Sequence, residues 1–268
     1  MTTGAIRVGI GGWTFEPWRA SFYPQGLPQK KELHFASRRV TTIEINGTYY
    51  GSQKPESFAK WRNDTPEDFV FSVKGPRFTT NRRILAEAKS SIERFLASGV
   101  LELKEKLGPI NWQFLPTKQF DAADFEAFLA LLPQWIEDRP IRHVVEVRHP
   151  SFKVPEFVAL LRSYGVAVVL ADSEAFPQIH DATAPFVYAR LQRASEAIET
   201  GYPPEALDLW AERGRIWARG DDPEDLGLIA PPAETRPKTR DVFIYLINGH
   251  KPKAPSAAMA LIARLQRT

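Results

Sequence analysis

Eight short apolar stretches run through this chain, each ending on or near polar side chains: residues 7–14, 41–50, 69–77, 109–116, 143–149, 166–173, 186–193 and 241–249. Segments with helical spacing of apolar residues separate most of them. Strand and helix alternating in this way restrict a chain to a parallel sheet with helical crossovers, and eight such units can close into a barrel. The sequence therefore predicts an α/β fold, a TIM-like (β/α)8 parallel barrel, as a single domain over residues 1–268. In that fold the chemistry gathers where the strands end, at the C-terminal rim.

The longest helical candidate is 82–107, where Ile84, Leu85, Ala88, Ile92, Phe95 and Leu96 recur at helical spacing and Gly108-Pro109 ends the run. Further helices are expected at 124–132, 155–164, 204–218 and 257–265. Two stretches read as long loops, the aromatic and proline-bearing 15–28 and the Pro-, Asp- and Glu-rich 220–240.

Side chains alternate faces along a strand, so parity sorts each stretch into a face for the helices and a face for the barrel interior. Ile43 and Ile45 oppose Glu44 and Asn46, Val145 and Val147 oppose Val144, Glu146 and Arg148, and Val187, Ala189 and Leu191 oppose Tyr188, Arg190 and Gln192. Interior charges are costly unless paired or solvated, and a barrel mouth permits both. The expected rim set is Glu44, Asn46, Lys74, Gln113, Glu146, Arg148, Asp172, Arg190 and Gln192.

Composition removes several function classes. The chain has no cysteine, which excludes disulfides, thiolate zinc sites and a cysteine nucleophile. No apolar run reaches the roughly 18–20 residues of a membrane helix, and the first residues lack a signal-peptide pattern, so a cytoplasmic protein without membrane contact is expected. Walker, G-x-S-x-G and G-x-G-x-x-G sequences are missing. No cofactor or metal is called for. A metal set could be drawn from Glu146, His149, Asp172 and His180, but no H-x-x-E-H run supports it. The formal net charge of +3 suits an anionic partner.

Several motifs in order carry a family resemblance. They are Gly9-Ile10-Gly11-Gly12-Trp13-Thr14-Phe15 with Trp18 and Phe22-Tyr23-Pro24, then Ile43-Glu44-Ile45-Asn46-Gly47-Thr48-Tyr49-Tyr50 and Trp61. Thr65-Pro66-Glu67-Asp68-Phe69, Phe71-Ser72-Val73-Lys74, Leu107-Gly108-Pro109 through Gln113 and Val145-Glu146-Val147-Arg148-His149 complete the series. The chain thus resembles the YecE-like proteins, domain-of-unknown-function family 72, over essentially its whole length. The resemblance implies a TIM-like barrel and no established activity. Two positions depart from the family pattern. Where it resembles Arg-Leu-His-Gly, this chain has Arg190-Leu191-Gln192-Arg193, and where it runs Phe-Asn-Asn, this chain has Leu246-Ile247-Asn248-Gly249-His250. A proton-carrying role of that histidine would be lost here or pass to His149 or His250.

The residues assign themselves roles. Glu44 and Glu146, with Lys74, form the expected catalytic set, because paired carboxylates at a partly dry rim can hold different pKa values and divide acid from base. Lys74, Arg148 and Arg190 could clamp a phosphate or carboxylate. Asn46, Tyr49, Gln113, His149 and Gln192 complete the expected substrate-binding set. Trp13, Phe15, Trp18, Tyr23, Tyr49 and Tyr50 could stack on a ring or seal the barrel top. The expected function is an enzyme acting on a small anionic substrate, a hydrolase or isomerase. The alternatives are a nucleic-acid-binding or nuclease-like barrel and a non-catalytic metabolite binder. The oligomeric state is left open.

Overall fold

A computed structural model describes residues 3–267. The chain forms eight parallel barrel strands: β1 (Ile6–Gly11), β2 (Thr42–Ile45), β3 (Val70–Lys74), β4 (Leu107–Gln113), β5 (His143–Glu146), β6 (Ala167–Asp172), β7 (Phe186–Leu191) and β8 (Asp241–Leu246). Each pairs with its neighbour in sequence, and β1 closes the ring on β8 through the register Ile6↔Val242 to Ile10↔Leu246. This is the TIM-like barrel that the sequence predicts.

Among the described residues, seven α-helices of five or more residues occupy the crossovers and the end of the chain: α1 (Glu32–Ala36), α2 (Pro55–Asp64), α3 (Lys89–Leu96), α4 (Ala122–Ala130), α5 (Pro155–Tyr164), α6 (Pro204–Ala218) and α7 (Ala254–Leu265). Their bounds follow local chemistry. Asp121 caps α4 by accepting from Asp124 N at 2.9 Å, so this helix starts two residues before the expected 124. Pro155 opens α5, and Gly165, at φ 62°, ends it.

The expected continuous helix over 82–107 is broken. Gly99 has φ 104° and divides α3 from a 3-10 stretch, Val100–Lys106, that leads into β4. A Cβ at Gly99 would lie 2.6 Å from Pro55 Cα, so the break is also where this segment packs on the start of α2. The apolar spacing persists through the segment, but helix continuity does not follow from spacing when a glycine offers the left-handed turn.

Among the described residues, the crossover between β6 and β7 has no helix. Side chains fix it instead. Thr183 Oγ1 donates to Val166 O at 2.7 Å and accepts from Val168 N at 3.0 Å. The Asp181 carboxylate accepts from Ile229 N and Ala230 N at 2.9 and 3.0 Å, tying the crossover to the long loop before β8. These bonds anchor the crossover to the backbone at the start of β6 and to that loop, whose buried donors and acceptors they satisfy.

The strand parities hold. Ile43, Ile45, Phe71, Val73, Ile110, Trp112, Val145 and Val147 belong to the core between sheet and helices, with Phe125, Phe128, Phe157 and Leu161. Each of these large side chains contributes about 2 kcal/mol by leaving water. The opposite faces form a separate interior cluster of Val144, Ala167, Val169, Ala171, Phe186, Tyr188, Phe243, Tyr245 and Ile247. Tyr188 and Tyr245 face each other with ring centres 4.9 Å apart. The interior thus begins as a plug of aromatic and aliphatic side chains, and what is built on it is polar.

Candidate functional site

Hydroxyls top the plug. Thr42 Oγ1 and Tyr245 OH are 2.9 Å apart, and Ser72 Oγ and Tyr188 OH are 2.7 Å apart. Tyr188 OH donates in turn to Glu44 Oε2. Burial, and after it the Glu44 charge, push the Tyr188 hydroxyl well above the usual tyrosine range, so it remains a donor.

Above the hydroxyls lies a network of ions. Arg190 extends one guanidinium nitrogen to Glu146 Oε2 at 2.7 Å and the other to Glu44 Oε1 at 3.1 Å. Glu146 also accepts from Arg148, at 2.7 and 3.1 Å on Oε1, and from Lys74 Nζ at 3.4 Å on Oε2. Asn111 Nδ2 spans the two carboxylates at 3.4 and 3.5 Å. Strand order explains the convergence: Glu44, Asn111, Glu146 and Arg190 stand on four different strands, all on inward parity, near the C-terminal ends. All but Arg148 are buried.

Ion pairing decides the protonation of this layer. Burial would raise the Glu146 carboxyl, but Arg190, Lys74 and Arg148 outweigh it and hold the group well below the usual carboxylate range. Glu146 is therefore a fixed anion near neutral pH. Lys74 behaves in the opposite way. Burial, and next the Arg190 charge, lower its ammonium from 10.5 to about 8, against the pull of Glu146 and Glu44. Its Nζ also donates to Gln113 Oε1.

Over this floor opens a cavity of about 750 Å³. Lys74, Gln113, Arg148 and Arg190 reach it from below, and Gly11, Gly12, Asn46, Gly47 and Asn248 line its sides. Trp13, Phe15, Trp18, Tyr49, Tyr50 and Trp61 form the aromatic walls. Tyr49 stands with its ring centre 5.5 Å from Lys74 Nζ and its hydroxyl 3.4 Å from Gln113 Nε2. Burial raises that hydroxyl above the ordinary tyrosine value. Lys251 lies over the Phe15 ring at 4.3 Å, and burial lowers its ammonium. The Arg190 Nε–H is buried without a partner.

Of the sequence-predicted site residues, Asn46, Tyr49, Lys74, Gln113, Arg148 and Arg190 come together around one opening. Glu44 and Glu146 lie beneath its floor, not on its surface, because each is covered by the cations it pairs with. His149 and Gln192 stay off the wall. His149 turns away and accepts from Ser151 N at 3.2 Å, capping the short 3-10 turn Pro150–Phe152. Gln192 lies beyond the end of β7 and accepts from Asn248 Nδ2 at 3.2 Å. His250 does not reach the cavity either, and its Nδ1 lies 3.8 Å from Glu196.

Asp172 is a correction to the expected rim set. It shares the outward parity of Val168 and Leu170 and pairs with Arg193 at 2.9 Å. Tyr23 is likewise absent from the walls, since its hydroxyl donates to Trp13 O. The set Glu146, His149, Asp172 and His180 is scattered, and among the described residues no three His, Asp or Glu side chains cluster as a metal would require.

Sequence reasoning missed Trp61, Asn248 and Lys251. Asn248 lies inside the eighth stretch, 241–249, and Lys251 just past it, and both could have been found by carrying the rim set on to that strand. Trp61 lies on α2, where only three-dimensional packing brings it to the wall, edge-on to Trp13 at 5.2 Å. Among the described residues lining the cavity there is no carboxylate, imidazole or serine hydroxyl, and the groups able to take or give a proton are amines, tyrosines and one threonine.

Comparison with known proteins agrees with this architecture. The UPF0759 protein YecE of Escherichia coli O157:H7 is 30% identical over 176 residues, covering 63% of this chain and 59% of that protein. The chain thus matches less than two thirds of the length of that curated relative. A crystal structure of a DUF72 family protein from Thermotoga maritima superposes with a TM-score of 0.76 at 23% identity, over 98% of this chain and 100% of that one. A second, from Enterococcus faecalis, gives a TM-score of 0.71 at 18% identity, over 98% and 96%. At these identities the likeness is one of fold. Residues 7–268 match the family model described as protein of unknown function DUF72, and the chain belongs to that family.

Proposed function

We propose that this protein is an enzyme that binds a small organic anion at the C-terminal mouth of the barrel and moves a proton on it. Arg148, Lys251 and the upper edge of Arg190 supply the attracting charge. Lys74 carries the proton, and Asn46, Gln113 and Tyr49 orient the ligand. Glu44 and Glu146, the acid and base expected from sequence, set the charge of the floor from below.

One observation carries this reading. The floor holds three cations, the buried Lys74 and Arg190 and the partly exposed Arg148, against two buried carboxylates, Glu44 and Glu146, with the surplus facing a cavity that presents no carboxylate of its own among the described residues. A surplus cation at a partly dry floor is costly, and an incoming anion offsets it. The partnerless Arg190 Nε–H points the same way. The aromatic walls favour a ligand with a ring or a carbon skeleton over a bare ion. A lysine whose ammonium is lowered to about 8 fits proton transfer, as in an isomerisation, better than Glu146 does.

The test is a thermal-shift and calorimetric screen of small phosphates, carboxylates and short oligonucleotides, each at low and raised salt. The expected result is stabilisation by one class of small anion, with weak salt dependence, and about tenfold weaker binding in Arg148→Ala and Lys251→Ala. A steep salt dependence with oligonucleotides alone would favour a phosphate-tracking groove. If no anion binds the wild type more tightly than these variants, the reading fails.

A further inference from the structure

We propose that Lys74 is an imine-forming amine and that the anion taken by this site carries a carbonyl group, as in a 2-oxo acid or a phosphorylated aldehyde or ketone. The inference rests on the anion-binding reading above and names its substrate class.

The argument starts from redundancy. Glu146 is already met by Arg190 at 2.7 Å and by two nitrogens of Arg148 at 2.7 and 3.1 Å, and Lys74 is the more distant partner at 3.4 Å. As a third counter-ion it is surplus, and it adds like charge beside Arg190. Arginine would serve a purely ionic role better, because it stays charged and is hydrated less strongly. Lysine differs in being able to shed its proton and become a nucleophile. Every charged group that faces it, Arg190, Glu146, Glu44 and Arg148, is fixed in the floor, and the net effect of burial and these charges lowers the ammonium to about 8, so that it sheds its proton far more readily than an ordinary lysine. Gln113 Oε1 and Glu146 Oε2 accept from Nζ, and Lys74 lines the cavity above them. With no serine, cysteine or imidazole on the wall among the described residues, a primary amine is the strongest nucleophile at the bottom of the cavity.

The step balances without any further reactant. The Nζ lone pair adds to the carbonyl carbon while the C=O π pair moves to oxygen. A proton passes from nitrogen to that oxygen, with the Tyr49 hydroxyl as relay, giving a carbinolamine. The hydroxyl then takes one proton from Tyr49 and leaves as water as the nitrogen lone pair forms C=N. The remaining N–H proton returns to the tyrosine oxygen. The sum is amine plus carbonyl to imine plus water. Burial keeps Tyr49 protonated between turnovers, as a donor must be.

The experiment treats the whole protein with glyoxylate, the smallest carbonyl-bearing anion, and cyanoborohydride, and maps the reduced adduct by peptide mass spectrometry. Thermal shift with glyoxylate and with glycolate, which lacks the carbonyl, is measured in parallel. The expected result is a single adduct on the peptide bearing Lys74. Its rate should rise about tenfold per pH unit as the amine deprotonates and level off above about pH 8. Lys74→Met should abolish it, while Lys60→Met, at an exposed lysine of α2 away from the cavity, retains it. Stabilisation by both anions without an adduct at Lys74 overturns the imine and leaves the anion site standing. Neither stabilisation nor adduct overturns both. Adducts spread over surface lysines at comparable rates also overturn the imine, and because they are measured on the wild type, that outcome does not depend on any variant folding.

Discussion

Glu146 holds together three cations that would otherwise repel, so its charge matters more than its reactivity. Glu146→Gln should leave Lys74, Arg148 and Arg190 with only Glu44 to balance them and cost about 3–5 kcal/mol, read from urea denaturation. In the same variant Lys74 should titrate lower still, since a charge that raises it has gone. His143 gives a second residue-scale outcome. It is buried, with Nδ1 accepting from Trp112 Nε1 at 3.1 Å and Nε2 2.8 Å from Pro133 O, and burial lowers it from 6.5 to about 4. Between those two values the unfolded chain binds more protons than the folded one. The stability that this neutral imidazole supplies is therefore complete above pH 6.5 and falls away as the pH drops toward 4, by about 3 kcal/mol in all. His143→Leu should be less stable at pH 7 but should lack that component of the acid slope, which denaturation across pH 4–7 would show.

At the scale of elements, the joint at Gly99 is the sharpest case. Gly99→Ala would need a left-handed backbone and would drive a methyl into Pro55 at 2.6–2.8 Å, so a loss of about 2 kcal/mol is expected by thermal or chemical denaturation. That joint also marks a limit of what the sequence makes legible. Strands and their facing were legible because period-two alternation is a local property, and Glu44, Glu146 and Arg190 could be turned inward from it alone. The helices at 155–164 and 204–218 were legible because prolines open them. The break at Gly99 was not, since a glycine in an apolar repeat can be tolerated or used, and only the packing of Pro55 decides. The site was legible to the same depth. Parity says that Glu146 and Lys74 face inward, but not that Arg190 and Arg148 lie between Glu146 and the solvent. Nor does it say that His149 prefers its neighbour Ser151 to the cavity. Both depend on distances across the barrel.

At the scale of the molecule, the ring is closed by its two ends, β1 on β8, with α7 and α6 packed together outside them. We propose that residues 1–268 form one domain, which requires secondary structure and tryptophan fluorescence to be lost in one coincident transition. Two separated transitions would overturn this. The same closure governs how the chain comes to be folded. Glu44 leaves the ribosome 146 residues before Arg190, the cation that neutralises it. Until then an emerging half-barrel would have to bury a carboxylate without a counter-charge and leave two strand edges open. The electrostatic network beneath the cavity therefore also opposes premature compaction during synthesis. A chain still short of the seventh strand lacks that counter-charge, which binds assembly of the pocket to completion of nearly the whole polypeptide.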